Sequence, residues 1–210
     1  MTPPDKIPAR PLAVPWLICF LAVLVWSAIA PKDRLIWWLE AAPALAAAVA
    51  LLVTWRSFPL TRLVYQLILL HAIVLMVGAH YTYAEVPVFD YLKATVGFER
   101  NNYDKLGHFL QGFVPALVAR EILLRKAVIK GTSWRNFLIV CFCLALSAFY
   151  ELIEWWVALL SQQAGDSFLG TQGYIWDTQS DMAFALSGAI LALLLLGRLH
   201  DRQLAQLRSR

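Results

Sequence analysis

The sequence predicts an all-α, polytopic membrane protein with six transmembrane helices, and three observations lead to this prediction. Hydrophobic residues make up 60% of the chain and charged residues only 15%, whereas a soluble domain carries nearer a quarter charged residues. The mean hydropathy is +0.61. The apolar residues also form continuous blocks, and several approach the roughly 20 residues that cross a bilayer core. Since backbone polar groups in lipid need internal partners, such blocks must be helices, and their continuity excludes a membrane β-barrel.

The apolar blocks place the six spans in one membrane domain that covers residues 1–210. The spans are predicted at residues 12–30, 35–53, 61–81, 104–124, 136–160 and 178–197. The two tails and the second and fourth connections hold twelve Lys and Arg residues, against five in the other connections. The positive-inside rule therefore places both termini in the cytoplasm of a bacterial cell, with the chain in its inner membrane. The first block is too long for a signal-peptide core, so we expect an uncleaved span.

The connections on the outward side differ from the basic ones. Residues 82–103 form a long apolar and aromatic connection, which we expect to lie along the membrane surface. Residues 161–177 are rich in glycine and glutamine. This segment either caps a cavity or forms a plain flexible loop, and the sequence favours neither. Cys19, Cys141 and Cys143 all lie inside apolar blocks, which predicts small apolar filler rather than a disulfide framework.

Polar side chains in the last three spans carry the functional prediction. Asp104 and His108 lie four residues apart in span four, and Glu151 and Glu154 lie three apart in span five, so each pair shares a helix face. A third pair, Asp177 and Asp181, follows at the start of span six, and its members are also four residues apart. At 1.5 Å per residue, His108 lies about 6 Å below the outer end of its span, whereas Glu154 lies roughly 9 Å and Glu151 roughly 13 Å below the outer end of theirs. The short connections make these helices antiparallel neighbours, so one shared cluster is expected.

Buried carboxylates at this depth are costly unless they face a polar interior and pair with another group. Either some carboxylates stay protonated, or a divalent metal ion of unknown identity holds them. Lys105 is the nearby cation that the sequence offers. The predicted metal ligands are His108, Glu151, Glu154, Asp177 and Asp181. The possible supporting residues are Asp104, Gln111, His80 and Gln172.

Several of these residues also have purely structural interpretations. Asp104 and Asp177 stand where helix N-caps are common, and that role needs no function. His71 is expected to be an interior histidine with its hydrogen bonds satisfied. Glu121 lies four residues before Arg125, which predicts a simple ion pair on the helix surface.

Three segments together resemble a known family. Residues 103–113, 150–156 and 170–182 are similar, in this order, to the YjdF-type bacterial inner-membrane proteins, whose activity is not assigned. That family often has an aspartate where this chain has Tyr174. The stretch from Asp104 to Phe109 also resembles VanZ-like proteins, which are linked to glycopeptide resistance at the cell envelope. Both resemblances imply a protein of the bacterial inner membrane.

The leading functional hypothesis is a metal-assisted hydrolase or transferase that opens to the periplasm. Its substrate would be a membrane lipid or a lipid-linked phosphate, and nucleic acid is not expected as a partner. Glu151 or Glu154 would serve as general base. The alternatives are a cation or proton transporter or channel, and a non-catalytic partner subunit in which the cluster only packs helices. The oligomeric state is left open.

Overall fold

The computed structural model describes residues 10–160 and 171–208, and this part of the chain is all α-helical. It contains seven helices. They are α1 (Arg10–Ala28), α2 (Arg34–Thr54), α3 (Arg62–Tyr81), α4 (Pro87–Val96), α5 (Tyr103–Arg125), α6 (Thr132–Leu160) and α7 (Asp177–Arg208). The all-α prediction is therefore confirmed for the described residues. Residues 161–170, which hold most of the predicted glycine- and amide-rich connection, lie outside them.

Four helices are long and apolar enough to cross a membrane, namely α2, α3, α6 and α7. The apolar part of α1 is shorter, at Val14–Ala28. Helix α5 has 23 residues, but it carries charged residues at both ends, in the segments 104–105 and 120–121. Length and composition thus support four of the six predicted spans directly.

Two helix ends differ from the prediction. Helix α6 begins at Thr132 rather than 136, directly after Gly131, whose φ of +87° allows the chain to turn there. Helix α7 continues to Arg208, beyond the predicted end at 197. The extension makes tertiary contacts, because the side chain of Gln203 accepts a hydrogen bond from the backbone N–H of Leu63 at 2.9 Å. These contacts, which a hydropathy pattern does not register, explain the longer helix.

The third connection contains helix α4, which begins with a proline at its first position and ends before Gly97. None of its residues is buried. Its large apolar side chains are exposed, among them Val88, Tyr91 and Val96. A short helix with an exposed apolar surface agrees with the expectation that this connection meets the membrane surface.

Helix α5 lies at the centre of the bundle and packs against α3, α6 and α7, while α1 and α2 pack against α3. The closest approach joins α5 to α7. A Cβ atom added at Gly112 would lie 1.7 Å from the carbonyl oxygen of Ala185, and one added at Gly188 would lie 2.0 Å from that of Phe109. Glycine at both positions therefore allows the two backbones to touch.

The predicted ion pair between Glu121 and Arg125 forms, at 2.9 Å, but its predicted place on the helix surface was wrong. Glu121 is fully buried and accepts hydrogen bonds from the backbone N–H and hydroxyl of Thr61, at 3.0 and 2.8 Å. Arg125 donates to it at 2.9 Å, and the Nε2 atom of His200 lies 3.0 Å away. The physical reason is that the α7 extension and the start of α3 cover this face of α5, which the spacing of two residues on one helix cannot reveal.

Candidate functional site

A network of ion pairs joins the beginnings of α5 and α7. Lys105 donates to Asp177 at 2.6 Å and to Asp181 at 2.8 Å. Arg100, just before α5, donates to Asp177 at 2.5 Å and also pairs with Asp104. All five side chains are largely buried. Asp177 thus pairs with two cations across helices, which goes beyond the N-cap interpretation, whereas Asp104 pairs with the same two cations within its own segment of the chain.

A second group lies one helical turn deeper and combines side chains from three helices. One ligand atom each from His108, Glu151 and Asp181 lies within 4.8 Å of the others. The Nε2 atom of His108 is 3.7 Å from a Glu151 oxygen and 3.9 Å from an Asp181 oxygen. These distances exceed ordinary hydrogen bonds. Two metal–ligand bonds of about 2.0–2.2 Å can join donor atoms that are roughly 4 Å apart, so the spacing fits a bridging cation.

The hydrogen bonding of His108 leaves the Nε2 lone pair facing these carboxylates. Its Nδ1 atom lies 3.0 Å from the side-chain oxygen of Gln111, and since an amide oxygen only accepts, Nδ1 carries the proton. In the neutral imidazole, Nε2 is then an acceptor aimed at two further acceptors. The buried Oε1 of Glu151 has no hydrogen-bond partner among residues 10–160 and 171–208. A cation or an added proton is needed to make this arrangement favourable.

Carboxylates outnumber cations in the two groups. Four carboxylates, those of Asp104, Asp177, Asp181 and Glu151, lie beside two cations, Arg100 and Lys105. If all four are ionised, two negative charges remain, which one divalent ion or two added protons would neutralise. A histidine that donates its second N–H to a carbonyl oxygen is also the usual form of a metal-ligating histidine.

The remaining predicted site residues lie outside these two groups. Glu154 is 8% exposed, one turn along α6 from Glu151, and has no hydrogen bond or ion pair with a described residue. Gln172 makes two hydrogen bonds to the backbone of Asn101 and so fixes the segment that carries Arg100. His80 lies against α1, where its Nδ1 is 3.0 Å from the carbonyl oxygen of Ser27. The structure therefore does not bring His80 to the group.

Sequence reasoning missed two participants and misjudged a third residue. Arg100 lies four residues before Asp104 in a connection without helical periodicity, so only the i,i+4 charge spacing could have indicated it. Glu40 of α2 is buried and accepts a hydrogen bond from Tyr150 of α6 at 3.1 Å. His71 was expected to have its hydrogen bonds satisfied, but its buried Nε2 has no hydrogen-bond partner among the described residues.

The ring of Tyr174 lies 5.7 Å from the Arg100 guanidinium, so this position faces the ion-pair network.

A large groove adjoins the group formed by His108, Glu151 and Asp181. Its volume is about 1330 Å³, and its lining comes mainly from α2, α3, α5 and α6, with Asp181 of α7. His108, Asp181 and Glu154 line it at one end, together with Glu40. Lys126 lines the opposite end. The candidate site thus opens into a space between helices rather than into a closed core.

Comparison with known proteins supports the membrane assignment. The family described as "Predicted membrane protein (DUF2238)" matches residues 12–202. The chain is 54% identical over 182 residues to the inner membrane protein YjdF of Escherichia coli (strain K12), and the match covers 87% of each chain. No solved structure matches.

Proposed function

This chain belongs to the DUF2238 family of predicted membrane proteins and is a multi-pass protein of the bacterial inner membrane, and we propose that its function resides in a divalent-metal site between α5, α6 and α7. The ligands are His108, Glu151 and Asp181. The observation that carries the proposal is the position of His108 Nε2, which lies 3.7 and 3.9 Å from oxygens of two buried carboxylates while Nδ1 lies against the Gln111 oxygen.

The reaction class that fits this site is metal-assisted hydrolysis or group transfer on a lipid or lipid-linked phosphate. A divalent ion bound there would polarise a phosphoryl oxygen or activate a water molecule. Glu154 faces the groove one turn from Glu151 and has no hydrogen bond to another residue that the structure describes, so it can accept a proton as general base. Gln111 fixes the tautomer of His108, and Lys105 orients Asp181.

The proposed topology has six spans in a single membrane domain, with both termini in the cytoplasm. In this arrangement α1 and α5 cross the membrane together with the four long apolar helices. The charged residues of α5 do not exclude a span, because Lys105, Arg120 and Glu121 are buried by neighbouring helices and Asp104 is ion-paired. The metal site then lies in the outer leaflet, below the periplasmic surface and the helix α4.

Transport of a cation or proton is a weaker candidate. Such a route would need polar groups through the cytoplasmic half of the membrane. The groove lining between Gln111 and Lys126 on α5 is entirely apolar, with Val114, Val118 and Ile122 among its residues. A hydrated cation would find no ligands on this wall.

Metal content tests the proposal. Purified protein is stripped with a chelator, reloaded with Zn²⁺, Mn²⁺ or Mg²⁺ in turn, and analysed for bound metal per chain. We expect close to one equivalent of at least one of these ions in the parent protein. His108→Ala and Glu151→Gln should each weaken binding by about 10-fold or more, because each removes one of three ligands.

The matched control is Glu154→Gln, which makes the same chemical change on the same helix outside the ligand group. This variant should retain the metal while losing any hydrolytic activity on lipid phosphates. Unchanged metal content in Glu151→Gln, in a protein that still unfolds at the parent temperature, would remove the metal site. A normal cellular phenotype of that variant would then favour the role of a non-catalytic partner subunit.

A further inference from the structure

The groove beside the candidate site has one polar end and one apolar shaft. The acidic side chains of the lining lie at the end that adjoins His108, while the hydroxyls of Thr54 and Ser57 lie near Lys126 at the opposite end. His71 of α3 also lines the groove. From the His108 end the lining along α5 is apolar until Lys126. This distribution of polarity along one cavity is that of an amphiphile, with a charged head group at one end and a hydrocarbon chain along the rest.

The groove opens sideways between α2 and α6. On α2, three alanines spaced one turn apart both line the groove and are exposed: Ala42, Ala46 and Ala50. On α6, Leu138, Phe142 and Phe149 do the same. The two helices are linked near the polar end by the hydrogen bond from Tyr150 to Glu40. Below that link, the small alanine side chains leave a slot that faces the lipid.

Neither water nor empty space is favourable along the apolar wall of this groove. Water needs two to four polar partners, which the α5 wall between Gln111 and Lys126 does not provide, and an empty space forfeits dispersion contacts along it. Since the slot opens toward lipid, hydrocarbon is the material at hand. The volume of about 1330 Å³ exceeds the 300–1,000 Å³ of ordinary small-molecule pockets.

The length of the shaft defines its occupant further. From Gln111 to Lys126 the groove follows α5 for fifteen residues, or about 22 Å at 1.5 Å per residue. One leaflet contributes only about 15 Å of hydrocarbon, half of the core thickness. A linear chain that fills the shaft therefore reaches past the bilayer midplane.

We propose that the groove binds the single long hydrocarbon chain of a phosphate amphiphile, with the phosphate at the acidic end and the chain tip toward Lys126. The identity of the head group rests on the proposed metal site, whereas the placement of the chain does not. The chain enters sideways through the slot between α2 and α6. The length of the groove thus limits the length of the hydrocarbon chain that it can hold.

Photocrosslinking in lipid nanodiscs tests this placement. The probes are linear alkyl phosphates of increasing length with a diazirine at the chain tip, and labelled residues are mapped by mass spectrometry. Labels from short probes should fall near Ala42 and Phe149, and those from long probes near Ala50 and Leu138. Labels that remain at one depth at every length, or that fall mainly on the exposed outer face of α2 at Val49, would overturn the proposal.

A filled groove provides the matched comparison. Ala46→Phe places a ring in the slot, so the yield of labels from long probes on residues on the cytoplasmic side of residue 46 should fall by at least about fivefold. Val49→Phe adds a ring to the same helix at a side chain that is 59% exposed and does not line the groove, and it should leave the labels unchanged. Equal labelling in both variants would contradict the proposal, provided that their thermal unfolding matches.

Two further measurements separate this inference from the metal site. Alkyl maltosides with the same tip label should still move down the groove with increasing length in Glu151→Gln, because the chain needs no metal. Bound metal is measured in the same Ala46→Phe sample and should equal that of the parent. Loss of metal with intact labelling removes the phosphate assignment alone, while intact metal with scattered labels removes the groove.

Discussion

Gly112→Ala is expected to lower the free energy of unfolding by about 1–3 kcal/mol, despite alanine being the better helix former. The added methyl group would lie 1.7 Å from the backbone carbonyl oxygen of Ala185. A backbone atom cannot rotate away as a side chain can, so α5 and α7 must move apart. Thermal unfolding in detergent, followed through the fluorescence of the nine tryptophans, measures the loss.

The chain contains a matched control for this substitution. Gly197 lies on α7 with no atom within 4 Å of an added Cβ, so Gly197→Ala makes the same change without a clash. Its unfolding temperature should remain unchanged or rise, by the helix propensity gained. Equal behaviour of the two variants would mean that α5 and α7 do not approach each other as described.

The same contact couples packing to the candidate site. His108 precedes Gly112 by one turn on α5, and Asp181 precedes Ala185 by one turn on α7. Separation of the helices at Gly112 therefore widens the gap between His108 and Asp181, which is now 3.9 Å. We expect Gly112→Ala to lose metal affinity together with stability, although no ligand is changed.

Helix positions were accessible from the sequence because each apolar block is continuous and ends at Gly, Pro or charged residues. The six predicted spans each correspond to a described helix, and most ends agree within a few residues. The main errors lie where tertiary contacts extend a helix, as at the end of α7. Hydropathy registers lipid-facing residues and not a polar helix held by its neighbours, and α5 accordingly is not among the four helices that are long and apolar enough to cross a membrane.

The spacing of acidic residues within each helix indicated which faces turn inward, but not how three helices are rotated relative to one another. Pairs at i,i+3 and i,i+4 share a face, yet the structure places Glu151 beside His108 and turns Glu154 into the groove. Asp177 pairs with Lys105, the cation that the sequence offered, but its second partner could not be predicted because Arg100 lies in an irregular segment held by Asn101 and Gln172. Contacts between distant segments of this kind depend on the complete fold.

A second buried network anchors the opposite end of the bundle. Arg120 donates to the Nδ1 atom of His200 at 3.1 Å, so the histidine is neutral and its Nε2–H donates to Glu121. Glu121 in turn accepts from Thr61 at the start of α3. Three helices thus meet on one carboxylate, which holds the floor of the groove near Lys126 in place.

Glu121→Ala is expected to destabilise the protein by about 3–5 kcal/mol, because Arg125, His200 and the Thr61 N–H would lose their buried acceptor. Glu85→Ala is the matched control, since Glu85 pairs with Lys32 and both side chains are about half exposed; it should cost less than about 1 kcal/mol. Chemical denaturation in detergent micelles compares the two variants.

Because the network lies far from His108, the folded fraction of Glu121→Ala should still bind metal at the parent stoichiometry. Loss of metal from that folded fraction would show that the two ends of the bundle are coupled, which the separation of the two networks does not predict.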